Sequence, residues 1–307
     1  MEIDPIFEFA DEATAHFPTR KQRLYALAYV RALQTSQETE LRKMVPPNLY
    51  RPVRHFLAES EWDHREVIWR AAARLLRQVE LDWIGCRVSS VAGKWSFAWL
   101  AGYVGDHVIH LDLVMIGPAR LTRSAADYIP AQLDILRTVP DQVLKQAPVG
   151  IGGALADLPQ VRDELDQRGI SYSAKVRLVG PAGRGLRRLA EGLRSDKLTG
   201  PGPNGVQWGT RDAGVPRSDA GPREVMVAYW HGDELASVVL TNIRERDRLE
   251  ETFGPRRADW AARPRGGRVG WRRTALRGRM AWEHHLALVC VVHGYGVESA
   301  ASNDVGP

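Results

Sequence analysis

The sequence predicts an α/β fold, a mixed sheet flanked by helices and preceded by an N-terminal helical module. Apolar residues recur at helical spacing over residues 20–33, which is typical of an amphipathic helix. From residue 82 the pattern changes to short apolar or alternating runs, which are typical of strands. After residue 129 strand and helix patterns alternate, and this alternation favours a sheet with parallel strands.

The helical module is predicted to span residues 1–80. Pro46 and Pro47 interrupt the helical pattern, and further helices are predicted over residues 49–60 and 63–79. Asp63 is the expected N-cap of the last of these helices, with Glu66 three residues later. Basic residues lie between the apolar positions of this module.

The second predicted domain spans residues 81–299, and residues 300–307 form a flexible tail. Strands are predicted over 82–90, 96–103, 107–116, 149–153 and 171–179, and a hairpin over 225–230 and 235–240. Gly102 and Gly105 mark a turn before the third strand. Helices are predicted over 129–144, 158–168 and 282–295. Residues 180–185 are predicted to form a loop, and residues 200–222 a Gly/Pro-rich insertion at the surface.

Composition predicts a cytoplasmic protein without a membrane partner. The hydrophobic fraction is 44% and the charged fraction 26%, both ordinary values for a folded domain. The sequence has no apolar run approaching the roughly 20 residues that span a bilayer. Cys86 and Cys290 give neither a disulfide framework nor a metal-ligand spacing, so we expect two buried thiols and no metal or cofactor.

Positive charge is concentrated in one segment of the chain. The formal net charge is +5, and residues 244–279 contain twelve arginines, five acids and no lysine. Guanidinium groups pair with phosphate through two parallel hydrogen bonds. The charge pattern therefore indicates a phosphate-binding surface, although a solvated loop and helix face would give the same composition.

Five segments, in order along the chain, resemble insertion-sequence DDE transposases, specifically the group numbered seven hundred and one. The first segment is Phe17-Pro-Thr-Arg-Lys-Gln-Arg, followed by Tyr29-Val-Arg-Ala-Leu. The second segment is His55-Phe-Leu-Ala-Glu-Ser-Glu-Trp-Asp-His64. The remaining segments are Gly102-Tyr-Val-Gly-Asp-His-Val-Ile-His-Leu-Asp112, Leu165-Asp-Gln-Arg-Gly-Ile-Ser-Tyr172 and Trp282-Glu-His-His-Leu-Ala-Leu288. The resemblance covers most of the chain and implies an RNase H-like catalytic domain.

The resemblance also implies a metal site whose acids are missing from this chain. Transposases of this kind hold two divalent cations with two aspartates and a glutamate, which activate the attacking oxygen and stabilise the leaving one. The three positions are occupied here by Cys86 or Arg87, by Gly152 and by Arg263. Thiols bind magnesium poorly, and arginine repels cations. We therefore expect that strand-transfer activity is lost.

A shifted set of acids is the alternative. Asp82, Asp112 and Asp157 lie near the first two positions in sequence. A third ligand would then have to come from Glu250, Glu251 or Glu283. Such a chain would be an active transposase.

The leading functional hypothesis is a domesticated protein that binds duplex DNA without cleavage. Its candidate DNA-binding residues are Arg20, Arg23, Arg54, Arg256, Arg257, Arg268, Arg272 and Arg273. The alternative is a recruited small-molecule-binding protein or unusual enzyme that uses the remodelled cleft. Its candidate pocket residues are Cys86, Trp95, Trp99, Gly152 and Gly153. A decaying remnant without a function also fits the sequence. The sequence does not indicate an oligomeric state.

Overall fold

The computed structural model describes residues 5–36, 38, 40–91, 95–105, 107–119, 127–152, 156, 159–193, 198–201, 206–212, 224–231, 233–253, 276 and 278–304. Its first five helices are α1 (Pro5–Ala13), α2 (Arg20–Thr35), α3 (Leu41–Met44), α4 (Pro47–Glu59) and α5 (His64–Leu75). The helices predicted over residues 20–33, 49–60 and 63–79 are present as α2, α4 and α5, and α1 and α3 lie in the same part of the chain.

The helix ends in this module follow from local side-chain chemistry. Thr19 and Gln22 form a reciprocal capping box at the start of α2, which satisfies two backbone N–H groups that lack helical partners. At the start of α5, Asp63 accepts hydrogen bonds from the backbone N–H groups of Arg65 and Glu66 at 2.8 and 3.3 Å. The predicted N-cap is therefore confirmed.

Nine strands form one mixed sheet in the order β3-β2-β1-β4-β5-β9-β8-β7-β6. They are β1 (Trp83–Val91), β2 (Trp95–Val104), β3 (His107–Pro118), β4 (Val149–Ile151), β5 (Tyr172–Val176), β6 (Leu198–Pro201), β7 (Val206–Asp212), β8 (Val225–His231) and β9 (Glu234–Thr241). Strands β1, β4 and β5 are parallel neighbours, and the remaining pairs are antiparallel. The predicted mixed α/β class is thus confirmed.

Six further helices follow the first three strands: α6 (Ile129–Thr138), α7 (Asp141–Leu144), α8 (Pro159–Gln167), α9 (Gly180–Leu193), α10 (Arg246–Phe253) and α11 (Arg279–Asp304). The helix predicted over residues 129–144 is divided in two, because Val139 is extended and Pro140 follows it. Residues 300–304, predicted as tail, continue α11, and residues 305–307 lie outside the described part of the chain.

The loop predicted over residues 180–185 is wrong, because this segment begins α9. Gly183 permits the helix, since a Cβ at this position would lie 2.6 Å from the backbone oxygen of Arg177. Ala190 is buried and Leu186 and Leu189 are half-buried, so α9 has an apolar face that the glycine content obscures.

The predicted insertion over residues 200–222 is also ordered in part, as β6 and β7. β7 pairs with β8 over seven residues, from Val206–His231 to Asp212–Val225. Backbone pairing with an adjacent strand, which local composition does not reveal, accounts for this difference.

Helix α11 joins the helical module to the sheet. It packs against α1, α2, α4 and α5 on the module side and against β3 on the sheet side. Buried residues from the module, the sheet and α11 form one continuous hydrophobic cluster. Among the described helices, none is both long and apolar enough to cross a membrane.

The closest backbone packing in the sheet generates a prediction about two neighbouring glycines. A Cβ on Gly150 would lie 2.6 Å from the buried indole of Trp83, whereas a Cβ on Gly152 would meet no atom within 4 Å. Gly150→Ala is expected to lower the free energy of unfolding by about 1–3 kcal/mol, as overpacked cores do. Urea denaturation measures this change.

Gly152→Ala is the matched control, because it adds the same methyl group two residues away. It is expected to change the free energy of unfolding by less than about 0.5 kcal/mol. Equal destabilisation by the two substitutions would contradict the packing of Trp83 over Gly150.

Candidate functional site

Arg87 and Gly152 come together where the parallel strands β1 and β4 meet. Cys86 pairs with Ile151 across these strands, so the next residues, Arg87 and Gly152, lie side by side. They are 65 positions apart in sequence, yet the resemblance had assigned both to the missing metal site. Open space lies where Gly152 would carry a Cβ. A half-buried guanidinium thus lies beside a position without a side chain.

Cys86 points away from this pair, because successive residues of a strand face opposite sides of the sheet. Its buried Sγ–H donates to Oε1 of Gln132 on α6. Nε2 of Gln132 in turn donates to the backbone oxygen of Arg87 at 2.7 Å. Burial raises the pKa of the Cys86 thiol to about 12, so it remains protonated and serves to attach α6 to β1.

The aromatic residues proposed for a cleft belong mainly to the packed core. Trp99 pairs with Arg87 across β1 and β2, but its side chain is buried and its ring centroid lies 6.0 Å from that of His110. Trp95 is half-buried and pairs with Val91 at the far end of these strands. Gly153 lies outside the described residues.

Asp112, considered above as a replacement ligand, is already neutralised. Its Oδ1 accepts from Nε of Arg65 at 2.9 Å, and its Oδ2 accepts from a terminal nitrogen of the same guanidinium. Arg65 also binds Asp134 at 2.6 Å and Thr138 at 2.7 Å, so it ties α5 to β3 and α6. Burial raises the pKa of Asp112 while Arg65 opposes this shift.

Three of the other acids considered for the metal site, all in the described part of the chain, have partners of their own. Asp82 accepts from the backbone N–H of Gly105 at 2.7 Å and closes the β2–β3 turn, where Gly105 has a φ of 55°. Glu250 and Glu283 pair with arginines on their own helices. Asp157 and Arg263 lie outside the described residues, and Glu251 is exposed on α10.

The donor set around β1 and β4 does not fit a pair of divalent cations. Such cations require carboxylate oxygens, and a guanidinium occupies this position instead. Within the part of the chain that the structure describes, no group of three or more His, Cys, Asp or Glu side chains could hold a metal ion. Arg87 and Gly152 therefore offer no carboxylate oxygen to a cation at this position.

Two adjacent histidines attach α11 to the helical module. The ring of His284 stacks on that of Trp62, with centroids 3.8 Å apart, and its Nδ1 lies 2.9 Å from the backbone oxygen of Leu57. Nδ1 of His285 lies 2.8 Å from the hydroxyl oxygen of Tyr29. Both histidines are buried, so they act as packing residues at this interface.

Exposed cations are concentrated on α2, α3 and α4. From Arg20 to Glu59 the chain carries eight lysines and arginines and three acids, a net charge of +5 that equals the charge of the whole chain. Arg23 pairs with Asp11 at 2.5 Å. Six exposed cations have no acidic partner among the described residues: Arg20, Lys21, Arg31, Arg42, Arg51 and Arg54. We call these six the basic helical surface.

The arginine-rich segment is described only at its two ends. Arg256, Arg257, Arg268, Arg272 and Arg273 lie outside the described residues, so their assignment to DNA binding stays a prediction. Among the described arginines of this segment, Arg246 pairs with Glu250 and Arg279 with Glu283 on adjacent helical turns.

Sequence reasoning had not assigned Arg31 or Arg42 to binding, although both belong to the basic helical surface. Arg31 has no basic neighbour along the sequence, and Arg42 has only Lys43. The signal that could have found them is the scarcity of acids between Arg20 and Glu59, compared with the segment before it.

Comparison with protein-family models found no match to this chain. Comparisons with curated proteins and with solved structures likewise found no match.

The buried histidines generate a prediction about pH dependence. Burial lowers the pKa of His284 to about 4 from an ordinary value of 6.5, so between these values the unfolded chain binds a proton that the folded chain excludes. The free energy of unfolding should therefore fall as pH decreases from 6.5 toward 4. His284→Asn, which keeps an N–H donor near Leu57, should flatten this dependence by up to about 3 kcal/mol.

The control is His55→Asn, because His55 is exposed and pairs only with Glu59 on its own helix. Urea denaturation at intervals from pH 4.5 to pH 7 measures both variants. His64 also has a lowered pKa, so part of the dependence should persist in His284→Asn. An unchanged slope in that variant would contradict the assignment.

The absence of a carboxylate at Arg87 and Gly152 generates a second prediction. Mg²⁺ and Mn²⁺ are expected to give no saturable heat in titration calorimetry, and the protein should not nick supercoiled DNA. Metal-dependent nicking at stoichiometric protein, lost in Asp82→Asn or Asp112→Asn, would instead establish a shifted set of ligands.

Proposed function

We propose that this chain is a transposase-derived protein that binds duplex DNA without cleaving it. The observation that carries the proposal is the basic helical surface, six exposed cations on three helices of one module that pair with no acid in the described part of the chain. Phosphates of duplex DNA attract such a surface independently of base sequence, because binding releases condensed counterions.

The placement of Arg87 beside Gly152 supports an RNase H-like origin. A metal site of the transposase type needs its first two acids on adjacent elements, and the resemblance assigned these acids to β1 and to the end of β4. The parallel pairing of β1 with β4 brings the two positions together. None of the five segments that suggested the family contains residue 87 or residue 152. The strand register therefore supports the resemblance independently of those segments.

Arg87 also supports binding without cleavage. A guanidinium at the former metal position removes the attraction for divalent cations and adds attraction for phosphate. Asp112 on β3 is held by Arg65 through two hydrogen bonds, so it is unavailable as a ligand. Occupancy of a DNA site, without strand transfer, is the activity that these residues allow.

The DNA-binding proposal predicts a steep dependence on salt. Affinity for a fluorescent duplex should fall with increasing salt, with a log–log slope of about −0.9 for each phosphate contacted. Arg51→Ala with Arg54→Ala removes two exposed charges that lie three residues apart on α4. The double variant should bind more weakly and flatten the slope by about one to two units. Fluorescence anisotropy at several salt concentrations measures both quantities.

The matched control is Arg137→Ala with Lys145→Ala, which removes two exposed charges on α6 and just after α7. Both of these cations pair with acids, so their removal should leave the salt slope unchanged. Binding no tighter than that of an unrelated protein of similar charge, or equal weakening by the two double variants, would contradict the proposal.

A further inference from the structure

A groove with a volume of about 700 Å³ lies among the first four helices of the module. Its apolar lining includes Phe7 of α1, Leu24, Leu27 and Ala28 of α2, Met44 of α3 and Leu49 of α4. Leu24 is 53% exposed, and Leu27 and Leu49 beside it in the groove are half-buried. The groove is therefore an apolar surface that the described elements of this chain leave partly uncovered.

Polar character enters this lining through two residues, Arg31 and Thr35. They are four positions apart on α2 and so lie on one face of the helix. Thr35 donates its hydroxyl hydrogen to the backbone oxygen of Arg31 at 2.9 Å, which leaves that hydroxyl as an acceptor. Among the described residues of the lining, Arg31 is the one that supplies a positive charge and guanidinium N–H donors to the groove.

Arg74, a second arginine of the module that lies over an aromatic ring, provides a comparison for Arg31. The guanidinium of Arg74 lies 5.2 Å from the ring centroid of Phe9, and that of Arg31 lies 5.6 Å from the ring of Phe7. Arg74 is also paired with Glu12 and Glu298, both at 2.8 Å. Arg31 has the aromatic contact and, among the described residues, no carboxylate.

We propose that this groove binds a small monocarboxylate with a long apolar tail, such as a medium-chain fatty acid, whose carboxylate pairs with Arg31. The tail would cover Leu24, Leu27 and Leu49, and the carboxylate would occupy the place that Glu12 and Glu298 take at Arg74. Ligand sites of proteins are commonly concave, mostly apolar and a few hundred to about 1,000 Å³ in volume. The groove lies away from β1 and β4; it shares Arg31 with the basic helical surface, and the inference does not require that surface to bind DNA.

The size of the groove favours a small molecule over a protein partner. Stable protein interfaces involve about 20–30 residues from each side. The groove is lined by ten residues. Its single unpaired cation matches one carboxylate, whereas an acidic helix would place several charges against largely apolar side chains.

Titration calorimetry with three twelve-carbon probes, each below its micelle concentration, tests the proposal. Dodecanoate should bind saturably with one site, dodecanol more weakly, and dodecyltrimethylammonium most weakly. Arg31→Gln should weaken dodecanoate binding about tenfold or more, because a hydrogen-bonded charge pair is lost. The same substitution should leave the affinity for dodecanol nearly unchanged.

Two further variants complete the test. Leu24→Gln should weaken binding of both dodecanoate and dodecanol. Leu24 is exposed, so the variant should keep its fold, which circular dichroism checks. Arg20→Gln removes the same charge from the same helix outside the groove and should change neither affinity. The proposal is overturned if folded protein gives no saturable heat with dodecanoate. It is equally overturned if the three probes bind alike, or if Arg31→Gln and Arg20→Gln behave alike.

Discussion

The burial of α11 between the helical module and β3 is the constraint on which the rest of the structure depends. This helix presents apolar residues around most of its circumference, as expected of a helix covered on several sides. His284 and His285 contact the module, and His293 lies 2.9 Å from His110 of β3. Because α11 covers the apolar faces of the module helices, the module and the sheet share one core. Separating them would expose this core to water.

Arginine networks extend this arrangement to the polar periphery. Arg74 joins α5 to α1 and α11 through Glu12 and Glu298, and Arg65 joins α5 to β3 and α6 through Asp112 and Asp134. Removing Arg65 would leave the buried Asp112 as an uncompensated charge, which is far more costly than losing an exposed pair. Arg65 and Arg74 therefore hold elements together, whereas the cations of the basic helical surface have no acidic partner among the described residues.

Sequence patterns predicted the elements whose structure is determined locally. The N-cap at Asp63 and the strands β1 to β5 follow from spacing and composition alone. Helix α9 and strands β6 and β7 were missed, because they depend on contacts with distant backbone. The backbone of Arg177 lies where a side chain at position 183 would be, and β7 pairs with β8. The same limit applies to the site. The contact between Arg65 and Asp112 joins residues 47 positions apart, so no local pattern announces it.

Helix α2 illustrates how one element can carry two separable properties. Arg20 and Lys21 lie at its first turn, exposed and outside the groove, whereas Arg31 lies near its last turn above Phe7. A helix rises 1.5 Å per residue, so roughly 15 Å separate the two ends, more than a Debye length at physiological ionic strength. A phosphate at one end and a carboxylate at the other would therefore interact only weakly, and each property of α2 can be lost without the other.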